Sequence, residues 1–104
     1  MSALLEFAMF PTSESESKSI YVSRILDIVD KSGLDYQFTP MGTIIEGESV
    51  EEVLAIITKA YAELQLDCSR IYSSIKIDYR EGPVGRLRNK TASVEKQLNR
   101  ELKK

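Results

Sequence analysis

Apolar and polar residues alternate strictly near the start of the chain. In the stretch 3–10, Leu5, Phe7 and Met9 fall on one side, and Pro11 follows directly after the stretch. Strict alternation is typical of a half-buried β-strand, and proline is tolerated at strand ends because it lacks a backbone donor. The pattern therefore predicts a first strand at 3–10 whose Leu5 side faces the core.

Two longer stretches repeat apolar residues at helical spacing. The first carries Val22, Ile25, Leu26 and Val29, and the second carries Val50, Val53, Leu54, Ile57, Tyr61 and Leu64. Spacings of three and four residues place side chains on one face of an α-helix. Capping-box patterns precede both helices, at 13–16 and at Ser49 with Glu52, and Gly33 is suited to end the first.

Strands are predicted between and after these helices. Residues 34–38 and 43–47 flank a short turn that contains proline and glycine, which favours a hairpin. Residues 70–80 form a long alternating strand with one apolar face and one mainly polar face. Beyond the glycine-containing turn 82–85, a narrow apolar stripe predicts a third helix: Leu87, Val94, Leu98 and Leu102.

The predicted order is β, α, β, β, α, β and a last helix, in one domain spanning 1–104. Such an order folds economically as an α+β, ferredoxin-like antiparallel sheet of four strands with both long helices on one face. The other face stays open, and apolar side chains are expected on it: Leu4, Phe10, Ile44 and Tyr72. We therefore expect a second subunit to cover this face and the protein to be a homo-oligomer, a tetramer built from dimers.

Composition excludes several classes of function. The 104 residues include no histidine and a single cysteine, Cys68, which rules out a histidine-based triad or zinc site and an internal disulfide. No apolar stretch approaches the about 20 residues of a membrane span, and no signal-peptide pattern opens the chain. A soluble, cytoplasmic protein without a membrane partner is expected.

The net charge of −2 hides an uneven distribution. Positions 1–85 carry seven basic and fourteen acidic residues, whereas positions 86–104 carry seven basic and two acidic residues. A basic end of this kind is typical of a solvated helix face. An anion-binding or RNA-binding arm is the alternative, but it lacks interleaved aromatic residues on which bases could stack. We expect no nucleic-acid partner.

Two carboxylates are predicted to point to the open face. Glu46 does so because its neighbour Ile45 faces the core, and Asp78 because it alternates away from Ile77. One interpretation is ion pairing at an interface, for example between Glu46 and Lys76. The other is a small polar pocket that recognises amino or cationic groups, with a ring stacked on Tyr72, Phe10 or Phe38. The chain has no metal-ligand spacing, phosphate loop or activated nucleophile, so no catalytic and no metal-binding residue is predicted.

Three segments together resemble a known family. Residues 40–47 (Pro-Met-Gly-Thr-Ile-Ile-Glu-Gly), residues 75–80 (Ile-Lys-Ile-Asp-Tyr-Arg), and Lys90 followed by 93–95 (Ser-Val-Glu) are similar to the small thiamine-binding proteins of the YkoF type. The resemblance covers essentially the whole chain, and Gly-Thr-x-x-Glu-Gly is its most specific part. It implies a ferredoxin-like subunit that assembles into dimers and tetramers and binds thiamine, or its hydroxymethylpyrimidine portion, without catalysis.

The resemblance also implies which residues lie near the ligand. Thr43, Glu46 and Asp78 match polar positions of the family, and Ser74 and Tyr72 are added by alternation along their strand. A carboxylate there would accept hydrogen bonds from the aminopyrimidine and balance the thiazolium charge, so Glu46 is expected to matter more for binding than for folding. The loop that begins Pro-Thr-Ser at 11–13 departs from the family's common Pro-hydrophobic-Gly, so a different loop shape is expected.

Two other functions fit the residues less well. A structural or regulatory oligomer would use the polar sheet face only to form a subunit interface. An acyl-phosphate hydrolase on the same fold would need an arginine cradle in the first loop, and residues 11–17 contain no arginine and no glycine. The prediction is therefore a thiamine-binding carrier, buffer or sensor, with thiamine as its ligand and no cofactor.

Overall fold

The computed structural model describes residues 1–12 and 18–103. Along the chain it contains β1 (Ser2–Pro11), α1 (Lys18–Lys31), β2 (Asp35–Thr39), β3 (Gly42–Gly47), α2 (Val50–Leu64), β4 (Ile71–Arg80) and α3 (Arg86–Leu98). This order and the antiparallel sheet confirm the predicted α+β, ferredoxin-like fold. The capping box predicted at 13–16 lies outside the described residues.

The four strands form one antiparallel sheet in the order β2-β3-β1-β4. β1 is central and pairs along its full length with β4. Leu4 of β1 lies opposite Glu46 of β3 on one side and opposite Asp78 of β4 on the other. Because directly paired residues share a face, Glu46 and Asp78 lie on the same face of the sheet, as the alternation predicts.

The core lies between the other face of the sheet and the two long helices. Its largest fully buried side chains come from β1, β3, α1 and α2: Leu5, Ile45, Ile25, Val29, Val53 and Leu64. α1 and α2 are also joined at their outer edge by Arg24, whose guanidinium is 2.9 Å from both Glu63 and Asp67. The residues that were predicted to face the core from β1 are therefore confirmed.

Local polar contacts fix the ends of the helices. At the start of α2, the Ser49 hydroxyl accepts a hydrogen bond from the Glu52 N–H, and the Glu52 carboxylate accepts one from the Glu48 N–H. This confirms the predicted capping box, although its return bond reaches one residue further back than the cap. Gly33, just after α1, has a φ of 80°, a conformation that glycine adopts without strain.

α3 packs on the face of the sheet opposite α1 and α2. Its first turn covers one end of that face, so Leu87 is buried. The sequence led us to expect a second subunit over the whole face, whereas this chain itself covers part of it. α3 ends at Leu98 because Asn99 adopts a left-handed conformation, so the predicted stripe residue Leu102 lies beyond the helix. In the part of the chain described, no helix is long and apolar enough to cross a membrane.

Candidate functional site

The Glu46 carboxylate holds the first turn of α3 on the sheet. Its side chain is buried and receives four hydrogen bonds, from the Ser2 hydroxyl (2.6 Å) and from the backbone N–H groups of Gly85 (2.9 Å), Arg86 (3.0 Å) and Leu87 (3.0 Å). The first N–H groups of a helix have no partner within the helix. Glu46 supplies that partner from a distant strand and places a negative charge where the helix dipole favours one.

These contacts keep Glu46 ionised. Burial raises the pKa of Glu46, but the hydrogen bonds from the Ser2 hydroxyl and from the three backbone N–H groups together outweigh it, so the pKa lies below its ordinary value. A carboxylate that accepts several N–H bonds is stabilised in its charged form. Glu46 is therefore a charged group whose charge is already compensated by the chain.

Arg86 ties the same turn to both neighbouring strands. Its guanidinium donates to the Ser2 hydroxyl (3.0 Å) and carbonyl (3.0 Å) on β1. It also donates to the Asp78 carboxylate (2.9 Å) and carbonyl (2.6 Å) on β4. Asp78 thus faces Arg86 across the end of the sheet, and its own side chain stays mostly exposed.

Sequence reasoning did not single out Ser2 or Arg86. One signal for Arg86 is present in the sequence, since a cation in the first turn of a helix opposes the helix dipole and so calls for a specific partner. Ser2 carries no such signal, because its role depends on two partners more than forty positions away along the chain.

Glu46 does not pair with Lys76, which was one interpretation of the sequence. The Lys76 ammonium lies 3.9 Å from the Glu6 carboxylate, and both side chains are exposed. The other predicted carboxylate, Asp78, forms its ion pair with Arg86. The predicted polar face therefore exists, but its charges are arranged differently.

A wide cavity, the sheet–helix cleft, lies between the open face and α3. It measures about 780 Å³ and has charged walls: Asp78, Arg80, Glu81, Arg86 and Lys90, with Leu4 and Ile44 at its floor. Three of these five charged side chains are basic. The cleft is thus suited to polar or anionic groups more than to a ring alone.

A second cavity, the hairpin groove, lies at the opposite end of β1, between α1 and the β2–β3 hairpin. It measures about 410 Å³ and is mainly apolar, with walls from Met9, Phe10, Val22, Phe38, Met41 and Thr43. The Lys18 ammonium lies at its edge, 5.1 Å from the centre of the Phe10 ring, and Tyr72 packs on that ring at 5.7 Å between centres. The groove has the size and apolar lining of a small-molecule pocket.

The five residues predicted to lie near a ligand do not meet in one place. Glu46 and Asp78 lie at the α3 end of the open face, and Ser74 and Tyr72 lie farther along β4, opposite Ala8 and Phe10 of β1. Thr43 is buried on the helix side of the sheet, opposite Phe7, and lines the hairpin groove. Alternation placed Glu46 and Asp78 on the open face correctly, whereas Thr43, a polar residue of the same 40–47 segment as Glu46, lies on the opposite face of β3.

Gly47 has a structural reason to be glycine. A Cβ at this position would lie 2.7 Å from the Glu52 carboxylate oxygen and 3.0 Å from a methyl group of Val53, both in the first turn of α2. A side chain at this point would require the Glu52 carboxylate to move and Val53 to shift by a few tenths of an ångström. The close approach at Gly47 is made by α2 of the same chain.

The described residues define a ferredoxin-like α+β protein whose sheet–helix cleft and hairpin groove are separate cavities, and they include no group of three or more potential metal ligands. Residues 5–95 match the family model described as Thiamine-binding protein, and the chain belongs to this family. The predicted resemblance is thereby confirmed.

Similar proteins support the same family over nearly the whole chain. A UPF0045 protein of Mycobacterium tuberculosis is 33% identical over 100 residues, which cover 96% of this chain and 98% of that protein. A UPF0045 protein of Methanothermobacter thermautotrophicus is 33% identical over 85 residues, covering 81% and 86%.

Solved structures agree with the fold. The hypothetical protein MJ1052 of Methanocaldococcus jannaschii superposes with a TM-score of 0.78 at 27% identity, over 89% of this chain and 95% of that one. A Thermotoga maritima protein superposes with a TM-score of 0.77 at 19% identity, over 90% and 99%. At that identity the second likeness shows the fold alone.

Proposed function

We propose that this protein binds thiamine or its hydroxymethylpyrimidine moiety, without catalysing a reaction on it, as a cytoplasmic homo-oligomer. The observation that carries this proposal is the match of residues 5–95 to the thiamine-binding family. An oligomer is supported by the open sheet face, where Tyr72 remains about half exposed although α3 lies on the same side. We infer a tetramer built from dimers.

The hairpin groove is the better pocket for the pyrimidine ring. It offers two aromatic side chains, Phe10 and Phe38, against which a planar ring can pack, and Phe38 is exposed and free to adjust to a ligand. Thr43 adds a hydroxyl group in a mainly apolar wall. A few polar groups in an apolar pocket are what orients a small ligand.

The charge of the groove bears on which form of the ligand it takes. Among its described lining residues, Lys18 is the one charged side chain. An ammonium group disfavours a nearby thiazolium cation and favours a neutral ring or one that carries phosphate. We therefore expect hydroxymethylpyrimidine and its phosphate to bind more tightly than thiamine.

The carboxylates predicted to recognise the ligand have other partners. Glu46 is used by α3, and Asp78 is paired with Arg86 at the sheet–helix cleft. A direct role for either in binding stays a prediction. If one of them does contact the ligand, Asp78 is the better candidate because its side chain is accessible from solvent.

Thermal unfolding with each ligand tests the proposal. Hydroxymethylpyrimidine, its phosphate, thiamine and the thiamine phosphates are added separately, and the midpoint is followed to saturation. At 100 times the dissociation constant a ligand stabilises the folded state by about 2.7 kcal/mol, which is about 10 °C for a domain of this size. No saturable shift with any of these compounds would show the proposal to be wrong.

Thr43→Val locates the site. The change keeps the shape of the side chain and removes its hydroxyl, so affinity should fall about five-fold if that group bonds the ligand. Thr58→Val on the exposed surface of α2 is the matched control and should leave binding unchanged. If Asp78→Asn weakens binding and Thr43→Val does not, the ligand lies in the sheet–helix cleft.

Absence of turnover is part of the same proposal. The sequence has no histidine, and the best-placed carboxylate, Glu46, already has its oxygens occupied by backbone and hydroxyl donors. Incubation with thiamine diphosphate should therefore release no phosphate above the blank. Release that is lost in an Asp78→Asn variant would make the protein an enzyme.

The alternative is a structural or regulatory oligomer. The contacts of Glu46 favour it in one respect, because this carboxylate of the family-specific segment already holds the first turn of α3 through three backbone N–H groups. The ligand series above distinguishes the two, since an oligomer without a ligand shows no saturable stabilisation.

A further inference from the structure

β4 is an unprotected edge of the sheet. It is the outermost strand next to β1, and all ten of its residues are paired on the β1 side. The opposite edge strand, β2, has only five residues. A long edge strand presents a row of backbone donors and acceptors that another strand can join. Within the described residues, no segment of this chain pairs with the outer side of β4.

The helix-side surface of β4 is apolar and uncovered. Ile75, Ile77 and Tyr79 are 38%, 41% and 47% exposed, although their direct partners on β1 are buried. α2 reaches β4 near its start, where the Tyr61 hydroxyl bonds the Ser73 hydroxyl, and does not extend over the remaining strand. An apolar row beside a free edge is typical of an interface.

The charges beside this row select a partner. We propose that β4 pairs antiparallel with β4 of a second copy, with Ile77 on the two-fold axis. A two-fold axis perpendicular to the sheet joins the two sheets edge to edge and keeps the helices of both copies on the same side. Side chains that are paired across the junction then point to the same face of the joined sheet. Lys76 then lies opposite the partner's Asp78, and Asp78 opposite the partner's Lys76.

The other registers fit less well. Moving the axis to Lys76 places the two Lys76 ammonium groups opposite each other, and like charges directly opposite destabilise a sheet. Moving it to Ile75 places Ile77 opposite the partner's Ser73, so that Ile77 no longer packs against an exposed apolar side chain of the partner. With Ile77 on the axis, Ile75 meets the partner's Tyr79, and the whole apolar row is covered.

The same register completes a chain of alternating charges on the open face. Lys76 already lies near Glu6, and Asp78 is already paired with Arg86. Pairing the two copies would join these as Glu6, Lys76, the partner's Asp78 and the partner's Arg86, so that Lys76 and the partner's Asp78 each lie between opposite charges. A carboxylate has enough lone pairs to accept from both Arg86 and a lysine.

This inference rests on the proposed homo-oligomer and does not depend on the ligand. The test uses two variants that each reverse one charge, Lys76→Glu and Asp78→Lys. In a dimer of either variant alone, residues 76 and 78 of the two copies would form two pairs of like charges, so the variant should lose this association. Its mass in sedimentation equilibrium should therefore fall to half the wild-type value or less. An equimolar mixture restores both attractive pairs and should recover the wild-type assembly.

The control is Lys59→Glu, which makes the same charge change at an exposed position of α2, away from both the edge and the open face, and should leave the mass unchanged. Thermal unfolding checks that every variant folds. If Asp78→Lys unfolds because Arg86 loses its partner, the contrast between Lys76→Glu and Lys59→Glu decides the matter, since both side chains are exposed.

Two results would overturn the inference in different ways. A wild-type oligomer that both folded variants retain, or that their mixture fails to restore, removes the β4 interface and leaves the proposed oligomer standing. A wild-type monomer at micromolar concentration removes the oligomer as well. Ligand binding is measured separately on the wild type, so neither result decides the thiamine proposal.

Discussion

β1 and β4 have the same length and the same alternation, yet their apolar side chains have different surroundings. Leu5 and Phe7 of β1 are buried, whereas their direct partners on β4, Ile77 and Ile75, are about two-fifths exposed. The difference arises because β1 is central and lies under both long helices, and β4 is an edge strand that α2 reaches only near its start. Alternation therefore tells which face a side chain occupies, and position in the sheet decides how far it is covered.

The carboxylates on either side of Leu4 differ in the same way. Glu46 on the inner strand β3 is buried and accepts four hydrogen bonds from its own chain, and Asp78 on the edge strand is exposed and paired with Arg86. Both belong to segments that resemble the family. The inner one is used for folding, and the edge one remains accessible to a ligand or to a second copy.

The largest expected effect is in the core. Leu5→Ala should lower the free energy of unfolding by about 2–5 kcal/mol, because it removes buried methyl groups and leaves a cavity. Ile77→Ala, its counterpart across the pair, should lower it by less than about 1 kcal/mol at low protein concentration, because that side chain is partly in water. Denaturant titration measures both. Equal losses would mean that β4 is covered in solution even in the monomer.

The next effect compares the two carboxylates. Glu46→Gln should lower the free energy of unfolding by about 1–3 kcal/mol, because the amide NH₂ group would face backbone N–H donors that now have an acceptor. Asp78→Asn should lower it by less than about 1 kcal/mol, as is usual for an exposed ion pair. The sequence alone led to the opposite expectation for Glu46, namely that Glu46→Gln would weaken binding and change the melting temperature little. A Glu46→Gln protein that melts like the wild type would support that earlier expectation.

The smallest effect concerns acid stability. The pKa of Glu46 is lowered in the folded protein, so its contribution is complete above the unfolded pKa of about 4.3 and is lost as the pH falls through the folded value. Between about pH 5 and pH 3 the wild type should lose more stability than Glu46→Gln. The melting temperatures of the two proteins should therefore converge as the pH falls. Glu101→Gln, a change at an exposed acid, serves as the control and should follow the wild type. Parallel loss in wild type and Glu46→Gln would show that Glu46 is not the titrating group.

Much of the architecture was predictable because it depends on neighbours in the sequence. The alternation in β1, β3 and β4, the helical spacing in α1 and α2, and the Ser49 cap all reflect contacts within a few residues. The ferredoxin-like order followed from these elements, and the family match agrees with the resemblance of residues 40–47 and 75–80. The length of α3 was less predictable, because one left-handed residue, Asn99, ends it.

The sequence by itself determined which elements form, which face each side chain occupies, and which family the chain belongs to. Only the tertiary structure decided that Glu46 anchors α3 and that the apolar row of β4 stays uncovered. The physical reason is that hydrogen bonding and burial depend on groups far apart in the chain. Ser2, Glu46 and Arg86 come into contact only after β1, β3 and β4 have paired, so no pattern of neighbouring residues predicts their contacts.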